Sequence, residues 1–306
     1  MSPFRAILFK VGSVVLFVCM SALIKFASDE VPPGQAVFFR SFFAIPVILG
    51  WLFLRHEMRT GLRTSVPMGH VWRGLVGTTS MGLGFAGLAY LPLSEVQAIH
   101  YTAPLLVVIF AAMFLGEEVR AFRLTAVALG LTGVLIVLSP RLTALQDGSL
   151  VETEALGAML VLMSAVLAAL AAVFVRKLVR TEQTSAIVFW FSVTASLLAL
   201  TTVPFGWVMP SGPVLAMLIG AGIFGGFGQI LLTTSYRLAD VSVVAPFEYS
   251  SMLLSVAIGY WVFGEVPTVV MLCGVALVIA AGVLIIWRER ALGLERAKQR
   301  RAVPPQ

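Results

Sequence analysis

The sequence predicts an all-α integral membrane protein of ten transmembrane helices, arranged as two inverted five-helix repeats. Three observations predict it. Of 306 residues, 59% are hydrophobic and 12% charged, with a mean hydropathy of +0.98, against roughly 25% charged residues in an ordinary soluble domain. Apolar runs long enough to cross a bilayer, about 20 residues each, follow one another almost without pause. The chain also resembles itself at an offset near 150 residues, and internal repeats decide architecture before motifs do.

The spans are read at 7–27, 34–54, 70–91, 95–115, 122–139, 156–175, 185–205, 213–236, 242–263 and 268–287. The first follows Arg5 and Lys10 as a secretory leader would, but no A-x-A cleavage site comes after it, so it reads as the first helix. The second enters through Pro32, Pro33 and Gly34 and carries Arg40. The third holds GLGFAG at 82–87, the letters of a dinucleotide fingerprint; no strand precedes it, and close helix packing is the physical reading. The fourth carries His100 and Tyr101 and closes on Gly116-Glu117, while the fifth closes on LSP at 138–140. The eighth contains GAGIFGGFG at 220–228, again read as packing, and the ninth carries Glu248 and closes on Gly264-Glu265. Pro and Gly inside these runs are compatible with packed membrane helices. The division expected is a first repeat over 1–139, a periplasmic linker at 140–155, a second repeat over 156–287 and a basic cytoplasmic tail at 288–306.

KFASDE at 25–30 aligns with KLVRTE at 177–182, AVFFRSF at 36–42 with AIVFWFS at 186–192, and FLGEEV at 114–119 with VFGEVP at 262–267. Five spans per half is an odd number, so the second half enters the membrane from the opposite side. Such inverted repeats recur in transporters, with the solute site near the midplane between the halves. The net charge of +6 maps topology rather than a nucleic-acid partner. With the N-terminus inside, every Lys and Arg among the 21 falls on the inner side except Lys25, Arg40 and Arg141, as the positive-inside rule asks. Both termini are therefore expected in the cytoplasm, and the tail reads as a solvated stop signal able to touch anionic headgroups. Cys19 and Cys273 lie in spans as small apolar residues, with no disulfide or metal expected. No nucleophile triad, paired zinc ligands or phosphate loop is present, so neither catalysis nor a cofactor is expected.

Aligning the Gly-Glu pairs at offset 148 also sets His100 against Glu248 and Tyr101 against Tyr249. A rise of 1.5 Å per residue puts His100 about 9 Å from the outer surface and Glu248 about 10 Å from the inner one. Ionisable groups at that depth cost about 3 kcal/mol or more facing lipid, so they face the bundle interior and mark a solute, ion or proton path. Locking helices together is the competing role. Arg40 has Trp190 as its repeat partner, which makes the site asymmetric. Its planar fork suits an anionic or carbonyl-rich ligand, or a carboxylate such as Glu248, with snorkelling to the outer headgroups as the alternative. Lys25 is expected to snorkel, and Glu117 and Glu265 to bond neighbouring backbone or basic groups. Gln97, Tyr101, Trp190, Gln229, Phe247 and Tyr249 complete the candidate site, offering π faces and neutral hydrogen-bond groups to an organic solute.

On VFFRSFFA at 37–44, APLLVVIFAAMFLGEEV at 103–119, GVLIVLSP at 133–140 and EYSSMLLSVAIGYWVFGEVP at 248–267, the chain resembles the drug/metabolite transporter superfamily, in its ten-helix members with two EamA-type repeats. The resemblance covers nearly the whole chain, and the Gly-Glu closure of the fourth helix in each repeat is its most specific feature. It implies a secondary carrier of the bacterial inner membrane that hydrolyses no ATP and holds its solute between the halves. Arg40 matches the arginine common in the second helix of that family's first repeat, and Trp190 departs from it. Within the superfamily, MSPFRAI, VPPGQAVFFRSFFAIPVIL and GHVWRGLVGT resemble the riboflavin importers of alphaproteobacteria. That implies riboflavin uptake, with export of amino acids or other metabolites, or S-adenosylmethionine uptake, as the alternatives.

Overall fold

A computed structural model describes residues 3–115, 121–146, 152–179, 181–238 and 244–302. Every regular element among them is helical: α1 (Pro3–Ala27), α2 (Pro33–Phe42), α3 (Ala44–Leu54), α4 (Pro67–Tyr90), α5 (Leu93–His100), α6 (Thr102–Leu115), α7 (Ala121–Gln146), α8 (Glu152–Leu178), α9 (Thr184–Leu200), α10 (Gly212–Leu238), a 3-10 turn (Ala245–Tyr249), α11 (Ser250–Phe263) and α12 (Val269–Ala302). Four stretches, Phe4–Ala27, Pro33–Leu54, Thr153–Leu178 and Gly212–Leu238, are long and apolar enough to cross a membrane. The split pairs α2/α3, α5/α6 and 3-10 turn/α11 each make one span, so helix occupies all ten expected positions.

Two of the three breaks have a common cause in proline chemistry. Proline at position i has no N–H for the carbonyl at i−4 and crowds that turn. Pro46 frees the Phe42 carbonyl, and the helix breaks at Phe43; Pro104 frees that of His100, and it breaks at Tyr101. Side-chain hydroxyls tie up loosened carbonyls nearby, with Thr102 Oγ1 donating to Ile99 at 2.7 Å, Ser250 Oγ to Phe247 at 2.6 Å and Ser251 Oγ to Glu248 at 2.7 Å. The boundary expected at Pro140 is not where α7 ends. That helix runs on to Gln146, because Ser139 Oγ donates at 2.8 Å to the Ile136 carbonyl that Pro140 cannot serve. The tail is likewise helical, as far as Ala302. Gly116, Glu117 and part of the expected linker lie outside the described residues.

Packing between the halves follows a two-fold pattern. α1 lies along α10 and α4 along α8, which is one contact repeated once the halves are exchanged. α7 crosses α12 antiparallel, although they are equivalent helices of the two repeats. A methyl group at Gly133 would lie 2.7 Å from the Gly274 carbonyl oxygen, and one at Gly274 would lie 2.6 Å from that of Gly133. Val278 flanks Gly133 as Val137 flanks Gly274. Close antiparallel contact between the equivalent fifth and tenth spans is what a two-fold axis in the membrane plane produces. Ser80 and Ser164 tie α4 to α8, each hydroxyl donating to the other's carbonyl at 2.8 and 2.7 Å.

One face of the bundle is closed by the Gly264-Glu265 pair. Gly264 takes φ +66°, the left-handed conformation that ends α11. The turn aims Glu265 back across the bundle, where Oε2 accepts the Leu93 N–H at 2.9 Å and Oε1 lies 3.1 Å from Lys25 Nζ. Lys25 does not snorkel. Its ammonium also donates to the Leu91 and Leu88 carbonyls at 2.6 and 3.3 Å, since freed carbonyls at the end of α4 offer it more than headgroups do.

Candidate functional site

Two clusters of buried polar side chains occupy the bundle. The first centres on Glu248 in the 3-10 turn. It pairs with Lys10 of α1, whose side chain is 1% exposed while that of Glu248 is 38% exposed. The Lys10 ammonium also sits 5.4 Å from the Tyr236 ring centre on α10, a favourable cation–π contact. Tyr101 lies at the break between α5 and α6 and donates to or accepts from Ser251 Oγ at 2.6 Å. Its ring meets that of Tyr249 edge-on with centroids 5.2 Å apart, and Tyr249 fills the space left by Gly282 of α12. His100 is half-buried one residue away, within electrostatic reach of Glu248. The broken fourth and ninth spans thus bring His100, Tyr101, Glu248 and Tyr249 together.

The second cluster centres on Arg40 of α2 and Arg73 of α4, which are 3% and 8% exposed. Their guanidinium carbons stand 5.5 and 4.0 Å from the centre of one ring, Phe191 of α9. The small residues around them make the space: a methyl group at Gly225 would lie 2.8 Å from Arg40 Nε, and one at Gly77 would collide with Arg73 Nη1. Nε and Nη1 of both arginines lack a hydrogen-bond partner, and no salt bridge reaches either among the described residues. Arg40 neither snorkels nor neutralises Glu248. The clusters sit at different levels: Met20, beside Gly225, is ten residues along α1 from Lys10, about 15 Å at 1.5 Å per residue.

Other candidates are placed apart from these clusters or beside them. Trp190 donates its indole N–H to the Leu62 carbonyl at 3.0 Å, in the α3–α4 loop. Its neighbour Phe191, not Trp190, is the ring at the arginines. Gln97, Gln229 and Phe247 are half-buried on α5, α10 and the 3-10 turn. Two basic residues assigned to the inner surface from the charge map, Lys10 and Arg73, are buried instead. Arg73 was legible: His70, Arg73, Gly77 and Ser80 share one helix face, a polar and small-residue stripe within an apolar span.

A third polar site lies in the loops. Glu182, between α8 and α9, accepts at Oε1 from the Ser65 N–H and hydroxyl, both at 2.8 Å, the Val66 N–H at 3.1 Å and Thr64 Oγ1 at 3.2 Å. Its Oε2 lies 3.6 Å from His70 Nε2, and Arg237 Nη2 donates to its carbonyl at 2.7 Å. Burial pushes this carboxyl up, but the Ser65 and Thr64 hydrogen bonds and His70 outweigh that and hold it below its ordinary value of 4.5. The clamp therefore contributes its full stability above pH 4.5 and loses it as pH falls through the depressed folded-state value. Glu182→Gln is expected to lower the unfolding temperature at pH 7 and to have a much smaller effect near pH 3. Thermal unfolding of both proteins across that range checks this; a difference that does not shrink on acidification counts against the clamp.

The comparisons with known proteins agree with this architecture. A profile of the EamA-like transporter family matches the chain twice, over residues 4–139 and 155–287. The chain is 30% identical to the pseudopaline exporter of Pseudomonas aeruginosa, over 92% of this chain and 93% of that protein. It is 29% identical to a riboflavin transporter of Rhizobium johnstonii, over 84% and 82% of the two chains. An S-adenosylmethionine uptake transporter of Rickettsia felis is 25% identical, with 87% of each chain covered. A solved crystal structure shares the fold with a TM-score of 0.69 at 22% identity, covering 95% of this chain and 99% of its own. The relatives are transporters rather than enzymes, and the multi-pass helical body is common to the whole length of this sequence. On the double match and the full-length relatives, this chain belongs to the EamA-like transporter family.

Proposed function

We propose that the chain is a secondary carrier of the bacterial inner membrane that takes up riboflavin, with both termini in the cytoplasm. The observation that carries the reading is the polar equipment at the meeting of the two halves: two buried arginines on one aromatic ring, and an ion pair beside two tyrosines. A flavin suits such surroundings. Its carbonyl edge accepts hydrogen bonds from guanidinium forks, and its flat tricycle packs on aromatic side chains. The riboflavin transporter among the relatives and the segments MSPFRAI and GHVWRGLVGT support the same solute. The basic residues of the loops and tail support the orientation. Rocking of residues 1–139 against 156–287 would expose the chamber alternately to each side.

The purified protein is expected to quench flavin fluorescence, and cells lacking flavin synthesis to grow on low riboflavin when they express it. Failure of both, with proteoliposome uptake of another solute from a panel of vitamins, amino acids and nucleosides, removes riboflavin and keeps the carrier. A second reading, transport of amino acids or related acidic metabolites, is favoured by one observation. Arg40 and Arg73 are two cations that a neutral flavin leaves uncompensated.

A further inference from the structure

We infer that Arg40, Arg73 and Phe191 form an anion-binding subsite, and that the transported solute enters it through an oxyanion group, a carboxylate or a phosphate. The inference rests on the carrier reading and deepens the second of the two solute readings, since riboflavin carries neither a carboxylate nor a phosphate. Two guanidiniums are always charged at physiological pH, and a buried cation without a partner is among the costliest groups a helical membrane bundle can hold. Both sit within 5.5 Å of the Phe191 ring centre, and four of their nitrogens, Nε and Nη1 of each, are buried without a partner.

Among the described residues, no resident counter-ion accounts for them. His70 precedes Arg73 by one turn and its nearest carboxylate, Glu182, is committed to Ser65, Val66 and Thr64. Glu248 is committed to Lys10 at another level of the bundle. The Phe191 face offers each cation partial relief but no hydrogen-bond acceptor. Further unsatisfied donors lie on the same three helices, since the buried hydroxyls of Ser41 on α2, Thr78 on α4 and Ser192 on α9 also lack partners. A planar carboxylate or a phosphate accepts from two arginine forks at once. Such a ligand removes the repulsion and fills the donors together.

The test is thermal unfolding of the purified full-length chain in detergent, followed by tryptophan fluorescence, with benzoate, its neutral isostere benzamide, and inorganic phosphate as probes. Benzoate or phosphate is expected to raise the midpoint by about 3 °C at saturation, and benzamide to leave it unchanged. The stronger of the two anions names the class. The rise is expected to vanish in Arg40→Gln and Arg73→Gln and to shrink in Arg73→Lys, which keeps the charge but loses the fork. Removing one of two repelling buried cations is also expected to leave the ligand-free variants at least as stable as the parent. An equal response to benzamide, an unchanged response in the glutamine variants, or no anion response in the parent overturns the subsite. Riboflavin uptake by the parent protein would also sink it, because riboflavin brings no oxyanion, and would leave the carrier standing. Anion binding by a protein that transports nothing would do the reverse.

Discussion

Glu248→Gln is expected to abolish solute transport and to destabilise the protein more than Lys10→Met does. The asymmetry follows from where the two charges sit. Lys10 has 1% of its side chain exposed, so removing its carboxylate leaves an ammonium in the bundle with Tyr236 as its remaining partner among the described residues. Breaking a buried pair from one side costs about 3–5 kcal/mol, whereas replacing both partners with apolar or neutral groups is often harmless. Glu248 has 38% of its side chain exposed, so the carboxylate stranded by Lys10→Met can be hydrated at far lower cost. The double variant Lys10→Met/Glu248→Gln is therefore expected to recover most of the stability that Glu248→Gln loses. It is not expected to recover transport, because the charge beside Tyr101, Tyr249 and His100 is gone. His100→Ala should reduce transport while leaving the fold intact. Unfolding temperature and initial uptake rate, measured on the four proteins, separate the two effects; a double variant no more stable than Glu248→Gln would show the pair is not what holds Lys10.

The second large effect concerns the crossing of α7 and α12. Gly274→Val is expected to be among the most damaging single changes in the chain, and Gly133→Val to match it. Each new side chain would press on the backbone carbonyl of the opposite glycine, 2.6 and 2.7 Å from the position of its first carbon. Side chains at a tight contact can rotate away, but backbone of two packed helices cannot. The helices must separate and take Val137 and Val278 with them. Overpacking costs about 1–3 kcal/mol where neighbours can adjust, and this site belongs at or above the top of that range. Gly50→Ala, which meets nothing within 4 Å, is the control and should be neutral. Yield of folded protein and thermal midpoint read the comparison. Tolerance of valine at both positions would mean that α7 and α12 do not cross there, and the two-fold relation would lose its clearest contact.

Much of this was legible because lipid imposes simple rules. Runs of about 20 apolar residues must be helices, and the near-150 offset between halves foretold that equivalent helices would run opposite ways. The Gly264-Glu265 closure was visible as a motif. Its reason was not, since a glycine in the left-handed region and a carboxylate reaching residue 93 are facts of three dimensions. The breaks at Phe43 and Tyr101 each lie three residues before a proline, a regularity that the sequence carries openly.

The site was harder to see, for identifiable reasons. Counting Lys10 and Arg73 as surface markers used their position along the chain and ignored the face they occupy. Both are a few residues inside a span, where rotation of the helix decides between headgroup and interior. The repeat offset paired Arg40 with Trp190, but one residue further along, about 100° around the helix, is Phe191, which meets both arginines. Lys25 was read as snorkelling because chain position gives no sign of the carboxylate that Glu265 brings from a distant loop.

The central claim is that a solute is gripped at the polar clusters between two inverted halves, which expose it alternately to each side. Counterflow in proteoliposomes tests it most directly. Vesicles are loaded with excess unlabelled solute, chosen as the one the uptake screen identifies, and labelled solute is added outside in trace amount with no ATP and no ion gradient. The account predicts a transient accumulation of label above equilibrium, lost in Arg73→Gln and in Glu248→Gln. Flux that only relaxes to equilibrium with no overshoot, or an overshoot unchanged in both variants, would contradict it.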